Sequence, residues 1–146
     1  MLVEKIKAYF KKQGGVKGKT LAMWGLAFKA NTDDIRDSAA IEIIENLTKA
    51  GMHVNAFDPE ANQNSRATLK ANTLVAILED QYQVLDQADA LAVITDWNQF
   101  RNPDFKKIKK MLKAPIVFDG RNLFSSSLLT SLGFIYFGIG RPGATG

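Results

Sequence analysis

The chain has 146 residues, 46% of them hydrophobic and 23% charged, with a net charge of +4 and a pI near 9.3. That length suits one domain with a sizeable core, and that balance is the composition of a globular chain rather than a disordered one. There is no cysteine, which excludes disulfides, thiolate metal sites and a cysteine nucleophile within these residues. The modest positive charge suits an anionic partner without choosing among nucleotides, nucleic acid and none.

Leu2 to Gln13 reads as an amphipathic helix, with Leu2, Val3, Ile6, Tyr9 and Phe10 on one face, stopped by Gly14-Gly15. Thr20-Leu21-Ala22-Met23-Trp24 is an apolar run of the kind that forms a buried parallel strand. Its continuation, Gly25 to Ser38, is polar and carries Lys29 and Arg36. A loop leaving a strand and entering a helix offers free backbone N–H groups and a positive dipole end, so this segment is expected to favour an anion such as phosphate.

Ser38 or Asp37 is placed to cap the next helix, whose apolar side is Ile41, Ile43, Ile44 and Leu47 and whose solvated side holds Glu42 and Glu45, ending at Gly51. Met52 to Phe57 follows as a second strand closed by Asp58-Pro59, completing a βαβ unit. Further on, the pattern predicts a strand at Leu74–Leu78, a helix over Asp80–Gln87 and a strand at Ala90–Thr95. It continues with a helix at Phe105–Leu112, a strand at Pro115–Phe118, a short helix at Ser127–Leu132 and a last strand at Phe134–Ile139. Six strands interleaved with helices imply a single α/β domain built on an open, mostly parallel, doubly wound, Rossmann-like sheet. Arg141–Gly146 has no core pattern and is expected to fray.

A dinucleotide fold usually carries G-x-G-x-x-G after its first strand, and here only Gly25 stands there, followed by Leu26, Ala27 and Phe28. Those larger side chains are expected to obstruct a pyrophosphate. Asp58 stands where the ribose-binding acid of such a fold would, or is simply an Asp-Pro turn. Lys29 and Arg36 are either solvated loop charges or anion ligands, and their position favours a ligand: lysine is a mobile point charge, arginine a bidentate fork. Asp33 and Asp34 lack the further ligands of a metal cage, so they are expected to cap the loop or orient Arg36. Arg121, in Asp119-Gly120-Arg121-Asn122, lies beyond another strand end, and is a third candidate anion ligand or an exposed turn residue. The lysines at 106, 107, 109, 110 and 113 alternate with Phe105, Ile108, Met111 and Leu112, which reads as a solvated helix face rather than a nucleic-acid surface. His53, the one histidine, has no Ser or Cys partner and is read as structural.

The motifs Gly25 to Ser38, Phe57-Asp58-Pro59, Ala88-Asp89-Ala90 with Thr95-Asp96-Trp97, Phe118 to Asn122 and Gly138 to Pro142 together resemble the carboxyl-terminal domain of the UDP-glucose/GDP-mannose dehydrogenase family. The likeness runs over nearly the whole chain, in the family's order. Ala30 and Ala39 stand where prolines are common, Asp96 where glutamate is common and Trp24 where an aliphatic residue is common. The resemblance implies part of an enzyme that oxidises a sugar-nucleotide primary alcohol to a carboxylate in two NAD-dependent steps through a cysteine. UDP-glucose is the expected sugar nucleotide, with GDP-mannose or a UDP-N-acetyl sugar as alternatives. It further implies that Phe28, Lys29 and Arg121 contact the sugar nucleotide and that Arg36 reaches NAD across a domain cleft. No catalytic residue and no metal ligand is expected in this chain. By the same resemblance residues 1–19 connect to an amino-terminal NAD-binding domain and a central dimerisation region, residues 20–140 form the binding domain, and the chain is inactive alone. A stand-alone nucleotide-binding module is the alternative. The expected setting is cytoplasmic, with neither membrane nor nucleic acid as partner: no apolar run approaches the roughly 18 to 20 residues of a bilayer span, and the first residues lack a signal-peptide pattern.

Overall fold

The computed structural model describes residues 2–139. Thirteen elements follow one another among the described residues. The strands are β1 (Thr20–Trp24), β2 (His53–Phe57), β3 (Val75–Ile77), β4 (Ala90–Val93), β5 (Ile116–Asp119) and β6 (Ile135–Gly138). The helices are α1 (Leu2–Lys11), α2 (Ala39–Lys49), α3 (Asn62–Leu69), α4 (Phe105–Met111) and α5 (Ser126–Ser131), with single 3₁₀ turns at Gln83–Leu85 and Asn98–Phe100. All six strands are parallel, in the order β3-β2-β1-β4-β5-β6. The order reverses between β1 and β4, so the carboxyl ends of these two strands bound the crevice in which open α/β sheets hold ligands.

Strand periodicity divides the core into two layers. Leu21 and Met23 of β1 join Ala90 and Ala92 of β4 in one layer, together with the buried faces of α1 and α2. Ala22 and Trp24 join Leu91 and Val93 in the other, which α4 and α5 close through Ile108 and Leu129. Near-continuous apolar strands are what burial on both faces requires. Helix α1 packs directly on the sheet: Ile6 and Phe10 are fully buried, each burial favouring the fold by about 1.5–3 kcal/mol. Tyr9 meets Phe118 and Phe137 edge-on at 6.2 and 5.6 Å. No helix among the described residues is long and apolar enough to cross a membrane.

Two segments depart from the sequence pattern. The helix expected over Asp80–Gln87 shrinks to the 3₁₀ turn Gln83–Leu85. Asp80 Oδ2 accepts from the N–H groups of Tyr82 and Gln83 and starts the turn, but Asp86 is extended (ψ 116°) and Gln87 left-handed (φ 60°), so the chain turns at once into β4. The stretch after Pro59, to which the apolar pattern assigns no element, contains α3. Its buried residues are Asn62, Ser65 and Leu69, so the helical period is written in polar residues that an apolar pattern does not register. The tail expected to fray, Arg141–Gly146, lies outside the described residues.

Candidate functional site

The loop after β1 is held by groups from neighbouring elements and by one bond across itself. Gly25 adopts φ +103°, and its N–H donates to Phe57 O at 2.8 Å. Leu26 N and Ala27 N both donate to Asp58 Oδ2, at 2.7 and 2.9 Å. Phe28 N donates to Asp34 O at 2.7 Å. Ser38, the N-cap of α2, donates its hydroxyl to Leu26 O at 2.7 Å and so ties the loop to the helix it enters. Ser38 rather than Asp37 is the cap, since Asp37 sits at φ 56° and is exposed.

The side chains of Leu26 and Ala27 are buried in the core. They do not obstruct the crevice, contrary to expectation; the loop's N–H groups are instead covered by Asp58. That residue is neither ribose ligand nor simple turn. It is 1% exposed. Its Oδ1 accepts from Glu60 N and Ala61 N, and its Oδ2 also takes the indole N–H of Trp97 at 3.2 Å.

At the end of β5, Asp119 is fully buried and plays a related part. Its Oδ1 accepts from Arg121 N, and its Oδ2 from Phe124 N and the Tyr136 hydroxyl, all within 2.8–3.0 Å. Arg121, so placed, donates from Nε to Ile94 O at 2.9 Å and from Nη2 to Phe28 O at 3.3 Å. One guanidinium thereby joins the loops that follow β1, β4 and β5. Phe28, 48% exposed, and Arg121 line the same cavity of about 340 Å³, with Leu2, Ile43, Ile94 and Ile139 as apolar walls and Asp37 as the one carboxylate. An apolar hollow with a few polar groups is the usual form of a small-molecule site.

Lys29 is exposed on the same loop but is not part of the lining of that cavity. Arg36 also stands apart from it. Its side chain is 87% exposed and forked onto Asp34, with Nη2 to Oδ2 at 2.8 Å. That guanidinium and the backbone N–H of Arg36 hold the Asp34 carboxyl down to about 2. Asp34 thus orients Arg36, as the sequence suggested. A larger hollow of about 570 Å³ along α2 is lined by Asp37, Glu42 and Glu45 with Lys49 as its one cation, an acidic balance unsuited to phosphate. No cluster of three metal-ligating side chains occurs among the described residues. The lysines of α4 are exposed around a buried Ile108, as a solvated face requires, and His53 is exposed at the start of β2.

Strand order, the ligand crevice at the β1/β4 switch and an apolar-walled cavity beside it that holds Arg121 are the features of a nucleotide-binding α/β domain of the Rossmann type. Residues 22–126, a span containing Phe28, Lys29, Arg36 and Arg121, match the UDP-glucose/GDP-mannose dehydrogenase family, UDP binding domain. The chain belongs to this family. It is 44% identical over 135 residues to UDP-glucose 6-dehydrogenase of Pseudomonas aeruginosa, covering 90% of this chain and 30% of that protein. It is 41% identical over 133 residues to UDP-glucose 6-dehydrogenase TuaD of Bacillus subtilis, covering 91% and 28%. Among solved structures, the UDP-D-ManNAc dehydrogenase of Pyrococcus horikoshii superposes with a TM-score of 0.73 at 26% identity, covering 95% of this chain and 30% of that one. The chain therefore spans about 30% of the length of the curated relatives it matches.

Proposed function

We propose that this chain binds the sugar nucleotide of a UDP-glucose 6-dehydrogenase, an enzyme that oxidises UDP-glucose to UDP-glucuronate with two NAD. The observation that carries the reading is the link from Arg121 Nη2 to Phe28 O, which sets an arginine and an exposed aromatic ring on one apolar-walled cavity at the ligand edge of the sheet. Lys29 adds a mobile charge next to that ring. An arginine fork and a lysine suit a diphosphate, and an exposed ring suits a base or sugar face. The identity to UDP-glucose 6-dehydrogenases supports glucose as the sugar.

NAD is the oxidant this reading requires, and its pyrophosphate does not fit the switch point of this sheet, because Asp58 already engages Leu26 N and Ala27 N. Arg36, held out to solvent by Asp34, is the proposed contact to NAD bound by another part of a longer protein. In the same reading residues 1–19 lead toward that part and a central dimerisation region, residues 20–140 form the binding domain, the chain alone is inactive, and the setting is cytoplasmic.

The test is calorimetric titration of the 146-residue chain with UDP-glucose and GDP-mannose, repeated with Lys29→Ala. UDP-glucose should bind more tightly than GDP-mannose and lose about tenfold in affinity in the variant, the size of one charge-assisted contact. No NADH should form when NAD and UDP-glucose are supplied together. Preference for GDP-mannose, or indifference to Lys29, would reject the assignment.

A further inference from the structure

Five N–H donors converge on the Asp58 carboxylate: Leu26, Ala27 and the Trp97 indole on Oδ2, Glu60 and Ala61 on Oδ1. All three segments that supply them are at the switch point or beside it: the loop after β1, the loop after β4 and the turn after β2. Consecutive backbone N–H groups just after the first strand of such a sheet are the part of the fold that ordinarily receives a phosphate. Here they point at an oxygen of the protein itself, inside a site 1% exposed.

We propose that Asp58 is a built-in anion, standing where a bound phosphate would and acting as the positioning residue for Phe28 and Lys29. Two bonds to Oδ2 fix the peptides of Leu26 and Ala27, the residues that lead directly into Phe28 and Lys29. The indole of Trp97 on the same oxygen couples that turn to the segment after β4, whose Ile94 O holds Arg121. The loop is therefore shaped for its ligand before the ligand arrives, which reduces the ordering cost of binding. With the backbone cradle filled, a diphosphate meets side chains, Lys29 and Arg121, rather than N–H groups. The choice of ligand rests on the sugar-nucleotide reading above; the filled cradle does not.

The experiment follows assigned amide signals of the 146-residue chain by NMR, with UDP-glucose and acetate as probes. In the wild type, UDP-glucose should move the Phe28 and Lys29 signals and leave the Leu26 and Ala27 amides in place. Asp58→Gly should weaken UDP-glucose binding about tenfold or more. Acetate, a free carboxylate, should then enter the emptied cradle, shift the Leu26 and Ala27 amides and restore most of the lost affinity. A variant impaired only by loss of structure would show no such rescue. If Asp58→Gly does not fold, Trp97→Phe removes one donor only and should still shift the Leu26 and Ala27 amides and weaken binding. The proposal is overturned if UDP-glucose moves those two amides in the wild type as strongly as Phe28 and Lys29. It is equally overturned if acetate leaves a folded Asp58→Gly unchanged, or if Trp97→Phe, where it is the variant used, leaves the amides and the affinity unaltered. A wild type blind to UDP-glucose refutes the ligand reading alone, and acetate shifts in Asp58→Gly then decide the cradle.

Discussion

Gly25 and Thr95 stand so close that a Cβ on the glycine would lie 2.1 Å from Thr95 Oγ1 and 2.7 Å from Thr95 N. The ends of β1 and β4 thus meet at the switch point with no room for a side chain, and the glycine also occupies φ +103°. Gly25→Ala is expected to destabilise the chain by about 3 kcal/mol or more, combining backbone strain with a collision. Thr95→Ala in the same background should recover only part of this, since the backbone nitrogen remains. Urea denaturation of the single and double variants measures both values.

Tyr136 tests how firmly the end of β5 is held. Its hydroxyl donates to Asp119 Oδ2 at 2.8 Å and lies 3.1 Å from Phe124 O, both in a fully buried setting. Tyr136→Phe keeps the ring and removes the donor, so a loss of about 1.5–3 kcal/mol is expected for a hydrogen bond to a charged group. The same denaturation measurement checks it, and a value near zero would show that Phe124 N and Arg121 N suffice to hold Asp119.

Ser38 carries two duties at once, capping α2 and holding Leu26 O at 2.7 Å. Ser38→Ala should cost about 1–2 kcal/mol, a normal N-cap loss. It should also broaden the Phe28 and Lys29 signals, whereas a plain capping defect would leave the loop as it was.

The Asp34–Arg36 pair gives a pH signature. The carboxyl is held down to about 2 by the Arg36 side chain first and its backbone N–H second. A depressed folded value means that the stabilisation is present above the unfolded value of 3.8 and is lost as pH falls from there through about 2. Both groups are open to water, so the effect on stability is slight and salt-sensitive. NMR titration of the Asp34 carboxyl carbon should give a midpoint near 2, and Arg36→Gln should return it toward the ordinary carboxylate range.

The sheet was legible because its strands are buried on both faces: Thr20–Trp24 emerges with the bounds its apolar run suggests. The same logic failed where polar residues do the packing. In α3 the buried positions are Asn62, Ser65 and Leu69, and Asn62 is occupied by Asp58 N and Leu78 O. At the site, strand-end position singled out Lys29, Arg36 and Arg121, and the family resemblance added Phe28. It could not tell that Arg36 would be turned outward by Asp34 or that Phe28 and Arg121 would share one cavity. The part played by Asp58 was hidden for a related reason. Asp-Pro at a strand end reads the same whether the carboxylate faces water or turns inward, and the inward turn depends on Trp97, 39 residues away.

The two main-chain bonds of Arg121 determine how it can greet a ligand. A guanidinium has five N–H donors, and the edge shared by Nε and Nη2 is already committed to Ile94 O and Phe28 O. What remains is the blunt end formed by Nη1 and the second hydrogen of Nη2. In the proposed role of ligand contact, Arg121 is therefore directional: an oxyanion approaching end-on finds a pair of parallel donors, one approaching from the side finds carbonyl oxygens, and a lysine at this position would offer no such discrimination.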